Sequence, residues 1–416
     1  MAAALAVVLV TGGEEAGRSP ARGPATPGVE AAPDVKAGDP QTRETDGDLA
    51  IGITEPNANF VWPPQGRPLG QPFARWRAAF DRVRPAYYRL VLDWASLQPS
   101  EAASARLDQP NGGCMRDILP CSGWAGVREQ LRAAAARQKE TGMQVLTVIT
   151  GSPDWAARPA NGCERGGTDA RSRPPRTSAL PAYRRLIADT LAVAAQEGVE
   201  LRYWSPWNEP NHPYFLSPQR PRCSGQAPTA AVAPYAEMAG ALKAELELAP
   251  GEQEYLLGEL SAFNRRKPRN TAVEEFARAL PDDLVCGARA WAQHAYVGGN
   301  DPVDPAAVGL AAHNCLRSPE IWITETGVGA PRRDLKRATG PAAERSTCQA
   351  MHEQLVRWYE DPRVTVAFQY TLREDDRFAT GLVNASLTRA YPVLRTWQAW
   401  GGKRASQDPV PRAACG

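Results

Sequence analysis

The sequence holds little of what metal centres and nucleic-acid surfaces require. It has four histidines, no Cys-x-x-Cys pair, and no histidine close enough to a cysteine to indicate a zinc cluster. Its formal net charge is only +2, and it has no lysine and arginine cluster of the nucleic-acid type. We therefore expect no metal, no other cofactor and no nucleic-acid partner.

Long apolar segments are absent beyond the first ten residues. Those ten resemble the hydrophobic part of a signal peptide that lacks its basic region, and a fraying apolar tail is the alternative. No later segment reaches the roughly 18 apolar residues of a transmembrane helix, so no membrane insertion is predicted. Residues 11–47 are rich in Gly, Pro, Ala and acidic residues, and no aromatic residue precedes Phe60. Such a composition predicts a disordered linker over this part of residues 1–47.

From about residue 48 onward, short apolar runs alternate with amphipathic segments. Hydrophobic residues make up 43% of the 416 residues, which is enough for a large core. Tyr183, Leu186 and Ile187 follow the spacing of a helix face that meets a core, and Gly198 ends that helix. Strands are predicted at residues 49–54, 87–92, 144–150, 201–206, 255–260, 288–295, 320–324 and 364–370.

Eight strands with helical connections predict an α/β fold, specifically a (β/α)8 TIM barrel over residues 48–401, followed by a tail at 402–416. A doubly wound open sheet is the alternative, but no glycine-rich phosphate loop follows any strand. The longest connections follow strands 2, 3 and 4. Long loops on the catalytic face shape a substrate groove.

Eight cysteines are present, at positions 114, 121, 163, 223, 286, 315, 348 and 415. An even number without a metal motif predicts disulfides and an oxidising compartment, and eight buried thiols are the alternative. Proximity predicts Cys114–Cys121. Cys163–Cys223 is expected because both residues lie in loops on the same barrel face. Together with the signal-like start, these cysteines predict a secreted, extracellular protein.

Two of the predicted strands lead into a glutamate. Residues 204–211 read Trp-Ser-Pro-Trp-Asn-Glu-Pro-Asn and place Glu209 after strand 4. Residues 321–327 read Ile-Trp-Ile-Thr-Glu-Thr-Gly and place Glu325 after strand 7. The ends of strands 4 and 7 lie across a barrel from one another, and two facing carboxylates are the minimum for cleaving a glycosidic bond.

This pair of motifs resembles the retaining glycoside hydrolases of clan A, with a look of families 5 and 39. The resemblance covers about residues 48–401 and implies an acid/base glutamate after strand 4 and a nucleophile after strand 7. It therefore implies Glu209 as acid/base and Glu325 as nucleophile. The expected activity is hydrolysis of O-glycosidic bonds in a β-linked oligo- or polysaccharide by a retaining mechanism, with the sugar, the linkage and the oligomeric state left open.

The neighbours of Glu209 are expected to tune it. Trp207 and Pro210 would form a partly dry surround, which raises the pKa of a carboxyl group and keeps it protonated. Asn208 is expected to direct its amide at the sugar 2-hydroxyl, a contact that strengthens in the transition state.

Three residues are expected to serve the nucleophile or the substrate. Arg89 lies in the middle of strand 2, where clan A enzymes often carry an arginine beside the nucleophile Glu325. An ion pair with Asp93 or an acid of a neighbouring strand is its alternative role. Tyr296 would donate its hydroxyl to Glu325, as the resemblance implies. His294 would contact substrate or the acid/base glutamate, unless it is a core histidine.

Aromatic residues at the strand ends are expected to stack on sugar faces. Trp155 follows strand 3, and the adjacent Asp154 is expected to bind a hydroxyl or to cap the next segment. Clan A enzymes commonly carry a tryptophan at the end of strand 8, where this chain has Tyr370. Further aromatic residues near strand ends are Trp62, Trp94, Tyr214 and Phe215.

Other carboxylates and other functions compete with this interpretation. Glu259, at the end of strand 5, is a potential substrate ligand or rival nucleophile, and Asp375 and Asp376 follow strand 8 in a solvated cluster. A non-catalytic carbohydrate-binding barrel is the second hypothesis for the function. A metal-dependent barrel hydrolase is the third, although the sequence offers no convincing ligand set for it.

Overall fold

The computed structural model of the chain describes residues 48–62, 70–108, 126–315, 320–329, 337–374 and 378–416. The eight strands of the barrel are β1 (Leu49–Thr54), β2 (Tyr87–Asp93), β3 (Gln144–Thr150), β4 (Tyr203–Ser205), β5 (Glu254–Leu260), β6 (Ala290–His294), β7 (Ile321–Thr326) and β8 (Val364–Tyr370). Each pairs in parallel with the next, and β1 pairs with both β2 and β8. The predicted (β/α)8 TIM barrel is therefore confirmed.

Helices alternate with the strands. They are α1 (Ala58–Val61), α2 (Phe73–Val83), α3 (Trp94–Leu97), α4 (Val127–Thr141), α5 (Leu180–Glu197), α6 (Val232–Leu246), α7 (Val273–Arg278), α8 (Asp282–Gly287), α9 (Val303–Leu310), α10 (Pro341–Glu360) and α11 (Val393–Trp400), with 3-10 turns at Ala170–Ser172 and Thr177–Ala179. The α5 face with Tyr183, Leu186 and Ile187 is buried as predicted, and Gly198 ends the helix at φ 75°. In the described ranges, no helix has the length and apolar character that a membrane crossing needs.

The two strands that lead to the glutamates differ from their predicted bounds. β4 is shorter than predicted, because Pro206 has no N–H to donate to a ladder and the carbonyl of Leu201 accepts from the indole of Trp204. β7 is longer and runs through Glu325 to Thr326. Glu209 therefore lies in a loop, whereas Glu325 lies within a strand whose pairings to β6 and β8 shift register nearby.

Aromatic rings fill the interior of the barrel. Tyr87, Tyr203, Trp322 and Phe368 pack with ring centroids 4.9–6.5 Å apart. Gly52 on β1 makes room for them, since a Cβ there would lie 2.4 Å from the ring of Phe368. Strand alternation places the side chain two residues after Tyr87 on the same inward face. That residue is Arg89, so the aromatic layer closes the barrel on one side of the arginine.

Disulfides join distant parts of the chain. The predicted Cys163–Cys223 bond is confirmed and connects the loops after β3 and β4. Cys286–Cys315 and Cys348–Cys415 are also formed, so every cysteine in the described ranges is paired. Cys114–Cys121 lies outside the described residues. A short strand, β9 (Lys403–Arg404), pairs antiparallel with β1 and brings the C-terminal segment back to the barrel.

Candidate active site

Seven polar side chains from four strands and two loops form a connected hydrogen-bond network inside the barrel. They are Arg89, Asn208, Glu209, Glu259, His294, Tyr296 and Glu325. The sequence analysis named six of them as site residues and the seventh, Glu259, as a competing carboxylate. The parallel strands bring these side chains together because their carboxyl ends meet at one face of the barrel.

Arg89 lies at the centre of the network. Its Nη1 lies 2.8 Å from Glu325 Oε1, and its Nη2 lies 2.7 Å from both Glu259 Oε2 and Asn208 Oδ1. The side chain is 1% exposed, and burial disfavours its charge, but the two carboxylates outweigh this effect and raise the pKa of Arg89. The alternative partner Asp93 pairs with Arg171 instead.

Glu325 is held on both carboxylate oxygens. Arg89 donates to Oε1, and the hydroxyl of Tyr296 donates to Oε2 at 2.9 Å. Burial and the charge of Glu325 raise the pKa of Tyr296 well above its ordinary value, so the phenol stays a donor. Glu325 is 9% exposed. Two fixed donors, one of them a cation, therefore hold this carboxylate in one orientation.

Glu209 lies in a left-handed turn at φ 44°, a backbone conformation that non-glycine residues rarely adopt. Its N–H donates to the carbonyl of Glu259 at 2.9 Å, and the N–H of Asn208 donates to the carbonyl of Ile149. Backbone bonds to β3 and β5 thus fix the turn. They direct the Glu209 side chain to His294, whose Nδ1 lies 2.8 Å from Oε1.

His294 contacts three carboxylates. Its Nδ1 lies 2.8 Å from Glu209 and 3.3 Å from Glu325 Oε2, and its Nε2 lies 2.9 Å from Glu259 Oε2. Burial lowers the pKa of the imidazole, but the charge of Glu325 and the hydrogen bonds to Glu209 and Glu259 outweigh burial and raise this pKa to about 10. The ring is therefore doubly protonated at neutral pH and donates from both nitrogens.

The expectation that a dry surround raises the pKa of Glu209 is wrong. Burial does favour the neutral carboxyl, but the hydrogen bond and the positive charge of His294 are stronger together, and the pKa of Glu209 is lowered. The two pKa shifts together favour the proton on the imidazole of His294 over the carboxyl group of Glu209. Sequence neighbours such as Trp207 did not reveal this, because His294 is 85 residues away in the chain.

Glu259 was considered in the sequence analysis only as a potential substrate ligand or rival nucleophile. It is 0% exposed, so in this conformation it meets neither a substrate nor an anomeric carbon. A bulge between Gly258 and Leu260 interrupts the β5 ladder, and Glu259 adopts φ 56° there. The bulge turns the carboxylate inward to Arg89 and His294.

Aromatic rings lie on both sides of the network. Near Glu325, the ring of Phe378 stacks on Tyr296 at 6.1 Å and meets the edge of Tyr370 at 5.8 Å. Near Glu209, the rings of His212, Tyr214, Phe215 and Phe263 form a cluster in which Tyr214 is 63% exposed. Phe263 and Phe378 were missed by the sequence analysis, because both lie in loops without a recognisable motif.

Two predicted substrate-binding residues make none of the hydrogen bonds of the network in the described part of the chain. Trp155 donates its indole N–H to the carbonyl of Gln98 and packs edge-on against Trp94. Asp154 is exposed. Asp375 and Asp376 lie outside the described residues.

One subset of the network has the spacing of a metal site. Glu209, His294 and Glu325 offer ligand atoms that all lie within 4.8 Å of one another. A metal ligand must be a deprotonated nitrogen or carboxylate, whereas the surrounding charges raise the pKa of His294 to about 10. Metal binding would therefore have to displace a strongly held proton.

The same fold occurs in solved structures of low sequence identity. SrfJ from Salmonella typhimurium aligns over 84% of this chain and 73% of its own, with a TM-score of 0.54 and 10% identity. A GH53 catalytic domain from Ignisphaera aggregans aligns over 86% of this chain and 97% of its own, with a TM-score of 0.50 and 14% identity. A family 39 glycoside hydrolase from Bacteroides cellulosilyticus aligns over 87% of this chain and 64% of its own, with a TM-score of 0.50 and 12% identity. At these identities the likeness shows the TIM-barrel fold, and one of these structures comes from a family that the motifs resemble.

No family model matches the sequence, and no curated protein matches it. The assignment of an activity therefore depends on the geometry of the side chains.

Proposed function

We propose that this protein hydrolyses O-glycosidic bonds in a β-linked oligo- or polysaccharide with retention of configuration. One observation carries the proposal: carboxylate oxygens of Glu209 and Glu325 lie within 4.8 Å of each other at the carboxyl ends of the strands. Retaining enzymes hold their two carboxyl groups about 5–5.5 Å apart, whereas inverting enzymes need about 6.5–9.5 Å to admit a water. The spacing supports direct attack by one carboxylate.

In the first step, Glu325 attacks the anomeric carbon while the bond to the leaving oxygen breaks and that oxygen takes a proton from Glu209. Arg89 and Tyr296 support this role, since both donate to Glu325 and leave it ionised and oriented. Asn208 accepts from Arg89 through Oδ1, which leaves its amide N–H groups to donate to a sugar hydroxyl.

In the second step, Glu209 removes a proton from water, and the resulting hydroxide displaces Glu325 from the anomeric carbon. The carboxylate that was the acid is now the base. His294 supports this reversal, because Nδ1 can supply across the 2.8 Å contact the proton that Glu209 gives to the leaving oxygen, and can later accept the proton that Glu209 takes from water.

Aromatic groups on both sides of the carboxylates support a substrate that extends past the cleaved bond. Exposed rings such as Tyr214 stack on the flat apolar faces of sugars. The three disulfides in the described ranges are typical of proteins that fold in an oxidising compartment, which supports secretion. A secreted hydrolase of this kind would meet polysaccharides outside the cell.

The direct test is a panel of aryl β-glycosides and plant, fungal and bacterial polysaccharides, assayed with the protein and with Glu325→Ala. Release of sugar by the wild type alone, with product first formed as the β-anomer by NMR, supports the proposal. A first-formed α-anomer overturns retention. If calorimetry detects binding of a glycan that is not hydrolysed, the protein is instead a non-catalytic carbohydrate-binding barrel. If a chelator abolishes turnover, the protein is instead a metal-dependent hydrolase.

A further inference from the structure

Glu259 is a buried carboxylate that the two-step reaction does not use. Its Oε2 accepts from two sides, with Arg89 Nη2 at 2.7 Å and His294 Nε2 at 2.9 Å. Arg89 in turn contacts Glu325, and His294 contacts Glu209. One oxygen atom therefore connects the partner of the nucleophile to the partner of the acid.

The backbone conformation at Glu259 directs its side chain into this position. A left-handed backbone is unfavourable for residues other than glycine, yet a glutamate occupies φ 56° here. The preceding Gly258 is also required, since a Cβ on it would lie 2.3 Å from the carbonyl of Ala292. The carbonyl of Glu259 accepts the N–H of Glu209, so the same residue fixes the acid turn through its main chain.

From these contacts we infer that Glu259 is a positioning residue: it fixes the proton on Nε2 of His294, so that Nδ1 alone exchanges a proton with Glu209. The inference rests on the proposed function. A neutral imidazole carries one N–H, on either nitrogen. Glu259 is kept ionised by Arg89 and accepts from Nε2, which selects one form of the ring. The remaining nitrogen then faces Glu209.

The proton count closes over a full cycle. At rest Nδ1 carries the proton and Glu209 is a carboxylate. During the first step the proton on Nδ1 passes to Glu209 and then to the leaving oxygen, so that His294 becomes neutral with its hydrogen on Nε2. In the second step Glu209 takes a proton from water and passes it back to Nδ1. No proton passes through Glu259, which is why its complete burial is compatible with its role.

The first test needs no turnover. With ¹⁵N-histidine labelling, the ring nitrogens of His294 are assigned by the loss of their signals in His294→Asn. We expect both nitrogens to be protonated at neutral pH in the wild type, and the last hydrogen to remain on Nε2 as pH rises. Retention of the hydrogen on Nδ1, or a singly protonated ring at neutral pH, overturns the inference even if the protein is an active glycosidase.

The second test uses Glu259→Gln, which keeps the side-chain shape and the backbone carbonyl but removes the charge. We expect His294 to deprotonate at lower pH and the alkaline limb of the kcat/KM profile to move to lower pH with it. Turnover of substrates with poor leaving groups should fall roughly 10²-fold, the lower range for a general acid. Dinitrophenyl glycosides, whose leaving group needs no proton, should lose less.

Two further variants separate this role from a merely structural one. Glu259→Asp retains the charge and should keep the wild-type pH profile in large part. Glu254→Gln alters a carboxylate at the opposite end of the same strand, which pairs with Arg202 and Arg289, and should leave the profile unchanged. An unshifted profile in a folded Glu259→Gln, with wild-type turnover intact, rejects the inference and leaves the proposed function standing. Absence of wild-type turnover rejects the function alone.

Discussion

The surroundings of Glu325 and of Glu209 differ, although carboxylate oxygens of the two residues lie within 4.8 Å of each other. Glu325 lies within β7 and accepts hydrogen bonds from a permanent cation, Arg89, and from a phenol, with the imidazole of His294 further away at 3.3 Å. Glu209 lies in a left-handed turn and meets an imidazole, a group whose charge can change. The two hydrogen-bond donors of Glu325 thus do not titrate near neutral pH, whereas the hydrogen-bond partner of Glu209 is a group that can exchange protons.

This difference matches the chemistry expected of each group. A nucleophile must stay ionised throughout, and guanidinium is effectively always charged. An acid that becomes a base must gain and lose a proton at each turnover, so a titratable partner serves it better. The different partners of these two glutamates therefore support the opposite roles proposed for them.

Removal of the nucleophile should give the largest effect. Glu325→Ala leaves Arg89 and Tyr296 without their carboxylate, and we expect kcat to fall about 10⁴-fold or more on every substrate, regardless of the leaving group. Steady-state assays with nitrophenyl and dinitrophenyl glycosides measure this fall. Glu274→Ala, an exposed substitution on α7, serves as a control and should retain turnover. If Glu325→Ala retained nearly wild-type activity, Glu325 would not be the nucleophile, and the contrast with Glu209 would have no basis.

Removal of the acid should be selective, in contrast to removal of the nucleophile. For Glu209→Gln we expect kcat/KM to fall about 10²- to 10³-fold on substrates with poor leaving groups and far less on dinitrophenyl glycosides. A plot of log kcat/KM against leaving-group pKa should therefore become steeper than for the wild type. Equal losses on all substrates would mean that Glu209 and Glu325 do not have distinct roles.

Loss of the phenol should have a smaller, uniform effect. Tyr296→Phe removes one hydrogen bond to a charged acceptor, worth roughly 1.5 kcal/mol, which corresponds to about a tenfold lower kcat/KM. Since Arg89 remains, Glu325 stays ionised, and the dependence on the leaving group should not change. Parallel losses on nitrophenyl and dinitrophenyl glycosides would place Tyr296 with the nucleophile, and a loss confined to poor leaving groups would place it with the acid.

The protonation of His294 should also affect the thermal stability of the protein. The pKa of His294 is raised from 6.5 to about 10 in the folded protein. Its protonation therefore stabilises the fold fully below about pH 6.5, and this stabilisation is lost as pH rises toward 10. Thermal unfolding across this window should show a falling Tm for the wild type and a flatter curve for His294→Gln. Parallel curves would mean that the imidazole is not charged in the folded state.

The sequence was sufficient for the barrel, because period and length define strands and helices that a parallel α/β fold requires. The motifs, in which Glu209 and Glu325 each end an apolar run, also predicted that these two residues come together, and their carboxylate oxygens lie within 4.8 Å of each other. The sequence was not sufficient for their electrostatics. The pKa of Glu209 depends on His294, which the closed sheet and not the local sequence brings within 2.8 Å.

Glu259 is a second residue whose environment the local sequence did not predict. As a carboxylate at a strand end it has the sequence signature of a substrate ligand. Only the bulge at Gly258 and the left-handed backbone show that its side chain turns into the barrel and is sealed from solvent. Backbone strain of this kind is a local departure from propensity, and such departures are expected at functional sites.

The Cys348–Cys415 bond has a mechanical consequence. Under tension applied at residues 48 and 416, force would pass directly through the two sulfurs and bypass β8, α11 and β9. The bond spans 67 residues. At about 3.5 Å per extended residue, the disulfide would therefore prevent roughly 230 Å of chain from being stretched. In a single-molecule stretching experiment, Cys415→Ser would therefore lengthen on unfolding by about that much more than the oxidised wild type.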